Sequence, residues 1–262
     1  MVRKKKTRAS PRAATIRTET HSLMHVRVTR FNPEMDFYPR THEYALHANP
    51  GESVLDLLTR IKHTQDGSLT FRGSCGYGGC GSCGVKVNGK PVLGCVTQVS
   101  DAMDTHARTL RIEPLDVERV IKDLVVDEKP FFDELLRIKP WVVPRKHDER
   151  RHHKMGVNDV KKLSRTQECI LCGLCNANVS SVQTNGKNAG EIGPAAWVKA
   201  YRYTFDMRDG DTRRVEGYST MLPVHYSLEK ANWCPRNIAP GDRIREMSAL
   251  QKEKNSPKRR RT

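Results

Sequence analysis

Eight cysteines in two groups of four constrain this chain more than any other feature. Cys75, Cys80, Cys83 and Cys95 read C-x4-C-x2-C-x11-C. Cys169, Cys172 and Cys175 read C-x2-C-x2-C, and Cys234 follows much later, directly before Pro235. The first spacing is that of a plant-type [2Fe–2S] site. The second opens like a bacterial-type [4Fe–4S] site, with a distant Cys-Pro as fourth ligand. No thiol is left over, and a chain that commits every cysteine to two such frameworks is built to move single electrons.

The residues around the first group support the reading. Six glycines (Gly73, Gly76, Gly78, Gly79, Gly81 and Gly84) interleave with its cysteines. A loop wrapped around a small inorganic core needs positive φ, which glycine adopts cheaply, and it lets amide N–H groups point at sulfur. Four thiolates also suit tetrahedral zinc, but zinc sites usually pair two short knuckles, unlike this three-cysteine loop with one distant partner. In the second group, two-cluster ferredoxins would place a further cysteine where Val179 stands. Cys234 is the only cysteine that remains to close that site. The competing reading is a three-cysteine site with Cys234 as a buried thiol.

With 262 residues the chain has room for two modest domains. Cysteine-rich disulfide scaffolds are normally short and secreted, so eight cysteines here point to metal and a reducing compartment. No apolar run approaches the ~18 residues of a membrane span. The net charge of +16 invites a nucleic-acid reading, but residues 1–18 carry +7 and residues 252–262 carry +5, leaving +4 for the body. Both ends lack apolar periodicity and read as disordered basic tails. Lys4-Lys5-Lys6 and the shortage of large apolar residues argue against a mitochondrial transit helix. The expected location is cytoplasmic, at most peripheral on the inner face of a membrane, in preference to the mitochondrial matrix.

Along the chain, residues 25–29 and 43–47 alternate with strand period. Ser53 can cap a helix with Val54, Leu57, Leu58 and Ile61 on one face. Residues 84–87 and 91–93 flank Asn88-Gly89, a hairpin signal. Residues 109–112 read as the last strand. After residue 115 the pattern turns helical. Residues 145–154 are charged, and His147, His152 and His153 there read as exposed linker side chains rather than ligands. Pro194 opens a helix running towards Asp209, and Pro240 opens another short one.

These motifs resemble the iron–sulfur subunit of succinate dehydrogenase and fumarate reductase over residues 25–246. The resemblance rests on Leu69-Thr70-Phe71-Arg72-Gly73-Ser74-Cys75, Cys80-Gly81-Ser82-Cys83, Val120-Ile121-Lys122-Asp123-Leu124-Val125, Glu168-Cys169-Ile170-Leu171-Cys172, Ala200-Tyr201-Arg202 and Cys234-Pro235. It implies an α+β chain: an N-terminal β-grasp plant-type ferredoxin domain over residues 22–125, then an all-α bacterial-type ferredoxin domain over 159–251. Residues 126–158 would connect them, between tails at 1–21 and 252–262. It further implies an FAD flavoprotein partner, with membrane-anchor or additional relay subunits as further candidates. The chain departs from the family at a third cluster, [3Fe–4S]. That cluster's ligands would fall at Val179, near Val224 and at Lys230, and no cysteine lies between Cys175 and Cys234. Two clusters and no third are therefore expected, with the ordinary exit to quinone in doubt. Two alternatives stand beside this reading: a two-cluster subunit of another flavoprotein dehydrogenase, and a basic nucleic-acid-binding protein with structural clusters. The +4 body charge weighs against the second, and no nucleic-acid partner is expected.

Overall fold

A computed structural model describes residues 23–255, apart from 48, 50, 105, 107, 117, 118, 145–153, 180–190, 219, 220 and 222–226. Both basic tails up to residue 22 and from 256, and the linker histidines, lie outside the described residues. The chain is mixed α/β, with a sheet in its N-terminal part and helices in its C-terminal part.

The sheet holds five strands in the order β2-β1-β5-β3-β4. β1 (Leu23–Arg30) and β2 (Arg40–His47) are antiparallel, and β5 (Thr109–Glu113) runs parallel to β1. β3 (Gly84–Val87) and β4 (Lys90–Leu93) form the expected hairpin. Its turn puts Asn88 at φ 47° and Gly89 at φ 78°, the two left-handed residues that a tight hairpin matching strand twist requires. α1 (Val54–Thr64) crosses one face. Ser53 and Asp56 close a capping box at its start, and Val54, Leu57, Leu58 and Ile61 are all buried. They meet Met24, Val26, Val28, Leu110 and Ile112 from the sheet. Each such side chain contributes ~1.5–3 kcal/mol relative to exposure.

Thr109–Glu113 is not the last strand. β6 (Val120–Lys122) and β7 (Val125–Val126) pair as a small hairpin before the first C-terminal helix. Asp123, at φ 50°, turns the corner and is buried. Its carboxylate accepts from Arg30 Nε, Phe31 N and Thr70 N at 2.8–3.0 Å. One side chain thus ties the end of β1 to the segment that enters the first cysteine loop.

The helical part builds a second core. α3 (Lys129–Arg137) contributes Leu135, α5 (Leu174–Val179) contributes Val179, and α6 (Pro194–Thr204) contributes Trp197 and Tyr201. α6 stops at Thr204, short of Asp209. Asp206 folds back to accept from the N–H and guanidinium of Arg208, and Asp209 is taken by Arg214 and by Val143 N–H. The helix opened by Pro240 is not short either: α9 runs Pro240–Asn255, because Ile244, Met247 and Gln251 bury one helical stripe. It continues through Lys252 and Lys254, which the charge pattern assigns to the tail. Between α3 and α5 lies α4 (Val157–Leu163), and α7 (Arg214–Gly217) and α8 (Leu228–Ala231) precede α9. α2 is a single turn, Val99–Ala102.

Candidate metal centres

The first cysteine loop leaves the sheet core at buried Leu69 and is pinned at Thr70 by Asp123. It then takes positive φ at Gly76, Gly78 and Gly81. These turns aim amides at sulfur. Gly78 N–H donates to Cys95 Sγ (3.2 Å), and Gly79 and Cys80 N–H donate to Cys75 Sγ (3.2 and 3.3 Å). Cys95 N–H donates to Cys83 Sγ at 3.5 Å. Cys83 Sγ and Cys95 Sγ stand 3.3 Å apart, and all eight thiols are free. That separation exceeds a disulfide's ~2.05 Å. It approaches the ~3.8 Å edge that metal–sulfur bonds of ~2.3 Å give a tetrahedron.

The thiols of this loop differ in charge preference. Cys80 is exposed, and its pKa falls to about 6, first through the Ser82 hydroxyl 3.2 Å away and then through the Cys75 backbone. Burial pushes Cys83 up to about 11. A buried thiol gives up its proton readily only to a cation that replaces the charge, as a metal does. The donor set therefore fits a cationic inorganic core.

The second loop follows a 3-10 turn at Thr166–Glu168. Leu171 at φ 55° and Gly173 at φ 72° curl it tightly. A bulky residue rarely occupies that region, and here it lets three cysteines face one point. α5 carries Cys175, and the turn after α8 returns Cys234. All four cysteines line one cavity, with Ala195, Val198 and Ile238 behind them. Burial raises Cys169, pushes Cys172 up to about 11 and raises Cys175 well above the usual thiol range. Repulsion from Cys234 adds to all three. Lys199, on α6, donates to Cys169 O at 3.2 Å and offsets part of the burial at that thiol.

Among the described residues, no three His, Cys, Asp or Glu side chains gather closely enough to hold one metal ion. Thiolates around a multi-iron core stand further apart than those on a single ion, because the core lies between them. The two loops also meet each other. Cys83, Cys95 and Cys172 share an apolar cluster with Leu55, Leu93, Leu115, Ile170 and Leu174.

Every cysteine singled out from spacing thus faces its own group. Sequence reasoning missed four supporting residues. Asp123 and Ser82 lie inside quoted motifs without revealing their contacts. Trp233 adjoins Cys234, and its Nε1–H donates to Pro91 O on β4 at 2.5 Å, across the two parts of the chain. Lys199 gives no sequence signal. Of the three positions where a further cluster would need ligands, Val179 is buried in the helical core, and Lys230 is exposed. The two are joined by Asn178 Nδ2 donating to Lys230 O at 2.8 Å. Val224, like Ser180-Ser181-Val182-Gln183, lies outside the described residues.

Residues 25–133 match the family of the 2Fe-2S iron-sulfur cluster binding domain. The mitochondrial succinate dehydrogenase [ubiquinone] iron-sulfur subunit of Candida glabrata is 30% identical over 247 residues, spanning 92% of this chain and 96% of that protein. The chain belongs to the family of succinate dehydrogenase iron–sulfur subunits. The likeness extends to structure. A chain of the Mycobacterium smegmatis Sdh1 complex in the apo form superposes with a TM-score of 0.76 at 26% identity, covering 90% of this chain and 98% of that one. A hypothetical protein from Helicobacter pylori, 17% identical with a TM-score of 0.50 over 90% of this chain and 40% of its own, shares the fold alone. As a family member the chain is an electron-transfer subunit of a succinate dehydrogenase-type oxidoreductase complex and carries iron–sulfur clusters, a [2Fe–2S] cluster among them. No helix among the described residues is long and apolar enough to cross a membrane. The expectation against the mitochondrial matrix is not borne out, since the Candida relative is itself mitochondrial.

Proposed function

We propose that Cys75, Cys80, Cys83 and Cys95 hold the [2Fe–2S] cluster and that Cys169, Cys172, Cys175 and Cys234 hold a [4Fe–4S] cluster, with no [3Fe–4S] cluster. The first lies in a β-grasp plant-type ferredoxin domain (22–125), the second in an all-α bacterial-type ferredoxin domain (159–251), with 126–158 connecting. The observation that carries this reading is the aim of the Gly78, Gly79, Cys80 and Cys95 amides at three cysteine sulfurs of the first group, Cys75, Cys83 and the distant Cys95. Among the described residues no three thiols gather closely enough to hold one ion, which favours clusters over a single zinc. Anaerobic protein should contain two plus four iron atoms per chain, with matching acid-labile sulfide. Stoichiometric zinc without sulfide would sink the assignment.

Each bound cluster supplies a site that accepts or releases one electron, so a two-electron flavin reaction divides into single steps. The protein's part is to hold and tune. Amide and hydroxyl hydrogen bonds favour negative charge at the first sulfurs, and Lys199 places a cation beside the second loop. The partner is an FAD subunit, met by the face bearing Cys80. There Tyr77 is 76% exposed and Val96 52% exposed. Gly78, beneath Val96, is buried, and the Tyr77 ring lies over Gly79. Membrane-anchor or relay subunits complete the complex.

Val179, where a third cluster would need a ligand, is buried in the apolar core of the helical part. Lys230 offers only an amine, a poor substitute for thiolate. Tunnelling weakens steeply with distance. The flavoprotein and this chain alone should therefore reduce artificial dyes well and quinone poorly, with no three-iron signal in electron paramagnetic resonance. Rapid quinone reduction by those two subunits alone would defeat the two-cluster reading.

A further inference from the structure

Two glycines of the first cysteine loop face the second cysteine loop rather than solvent. A Cβ placed on Gly81 would lie 2.9 Å from Cys172 Cβ, 3.0 Å from Cys172 Cα and 3.0 Å from Ile170 O. One on Gly84 would lie 2.8 Å from Leu115 Cδ1 and 3.4 Å from Cys172 O. The atoms opposing Gly81 are backbone or the first side-chain carbon, so they cannot swing aside as a flexible side-chain tip can. The left-handed turn alone does not explain this closeness. Gly76 and Gly89 have nearly the same φ, +77° and +78°, and nothing within 4 Å of their Cβ positions.

We infer that Gly81, assisted by Gly84, is the positioning residue that sets the closest approach of the two cluster-binding loops, and with it the gap an electron crosses between the clusters. The inference rests on the cluster assignment above. Gly81 follows Cys80 directly, and its opposing residue, Cys172, is itself a ligand candidate. Gly81 therefore sets one ligand loop directly against a ligand candidate of the other. Any side chain at Gly81 must part the loops, lengthening the gap between the two cluster sites. Cys83, Cys95 and Cys172 already share one apolar cluster, so the loops meet through packed side chains as well as at Gly81.

The test uses the intact complex and two readouts besides turnover. One is the magnetic coupling between the two reduced clusters in electron paramagnetic resonance. The other is the rate of electron equilibration between them after a pulse of photoreductant. Gly81→Ala, with both clusters loaded, should weaken the coupling and slow equilibration several-fold, and Gly81→Leu should do both more strongly. Gly89→Ala, which imposes the same left-handed strain without the clash, should change neither. A loaded Gly81→Ala complex with wild-type coupling and rate would overturn the inference. If Gly81→Ala fails to load, Gly84→Val decides by the same readouts. The Gly84 backbone is not left-handed, and a branched side chain there reaches past the yielding Leu115 tip towards Cys172 O, 3.4 Å from the Cβ position; unchanged coupling and rate would equally overturn the inference. A wild-type complex lacking either cluster by iron and sulfide content would instead defeat the cluster assignment, and this inference with it.

Discussion

Replacing Ser82 by alanine should lower the reduction potential of the [2Fe–2S] cluster by about 40 mV. Ser82 Oγ lies 3.2 Å from Cys80 Sγ. Once Cys80 is a ligating thiolate it has no proton, so only the serine can donate. A hydrogen bond to a charged group contributes ~1.5–3 kcal/mol. Cys80 is exposed, so the lower end applies, and only the part that grows on reduction moves the potential. We take that part as about 1 kcal/mol. A tenfold change in a one-electron equilibrium is about 59 mV and about 1.4 kcal/mol, so about 1 kcal/mol becomes about 40 mV. The sign follows from charge. The reduced cluster is more negative, the hydroxyl stabilises it more, and its loss makes reduction harder. The assay is a redox titration of the intact complex followed by electron paramagnetic resonance. Ser82→Thr, which keeps a hydroxyl, should sit near wild type, and the [4Fe–4S] potential should not move. An unchanged or raised [2Fe–2S] potential in Ser82→Ala, at full iron content, would refute the reasoning.

Cys80→Ser should remove the [2Fe–2S] signal and leave most of the [4Fe–4S] signal, while Cys234→Ser should do the reverse or yield a labile three-iron form. A normal [4Fe–4S] spectrum in Cys234→Ser would show that the fourth ligand is misassigned. Arg214→Met removes the cation paired with the buried Asp209 carboxylate and the donor to the carbonyls of Lys139 and Trp141. Breaking such a pair costs ~3–5 kcal/mol, so the melting temperature should fall on the order of 10 °C. A drop of a degree or less in calorimetry would contradict the network. Trp233→Phe removes one hydrogen bond, to Pro91 O, and should lower the melting temperature by about 2–4 °C. Unchanged melting would show that the bond holds nothing together.

The N-terminal sheet was largely legible because its signals are local. The capping residue and apolar face of α1 lie within one helix, and Asn88-Gly89 fixes its hairpin within four residues. Where partners lie far along the chain, the reading faltered. The β6–β7 hairpin has only three- and two-residue strands. It exists because Asp123 anchors it to Arg30, Phe31 and Thr70, contacts that no periodicity announces. α9 reads as polar overall. Its buried stripe, Pro240, Ile244, Met247 and Gln251, is polar at one end, and much of what covers it is α6, some forty positions earlier. The early end of α6 has the same origin: Asp209 belongs to a buried pair with Arg214 instead of a helix end.

The ligand candidates show the opposite case. Cluster chemistry forces three cysteines into a spacing of two or four residues, so most of the candidate site is written in one short stretch, and elimination supplies the distant fourth. Spacing cannot tell how two such stretches are set against each other. Gly81 and Cys172 are separated by most of a domain in sequence, and glycine at position 81 is already demanded by its left-handed turn. The second demand, clearance for Cys172, hides behind the first and emerges only when the loops are seen in contact. One glycine thus meets a local and a long-range constraint at once. For that reason the Gly89→Ala comparison, equal in backbone strain and free of contact, is what separates folding a cluster loop from placing it beside the next one.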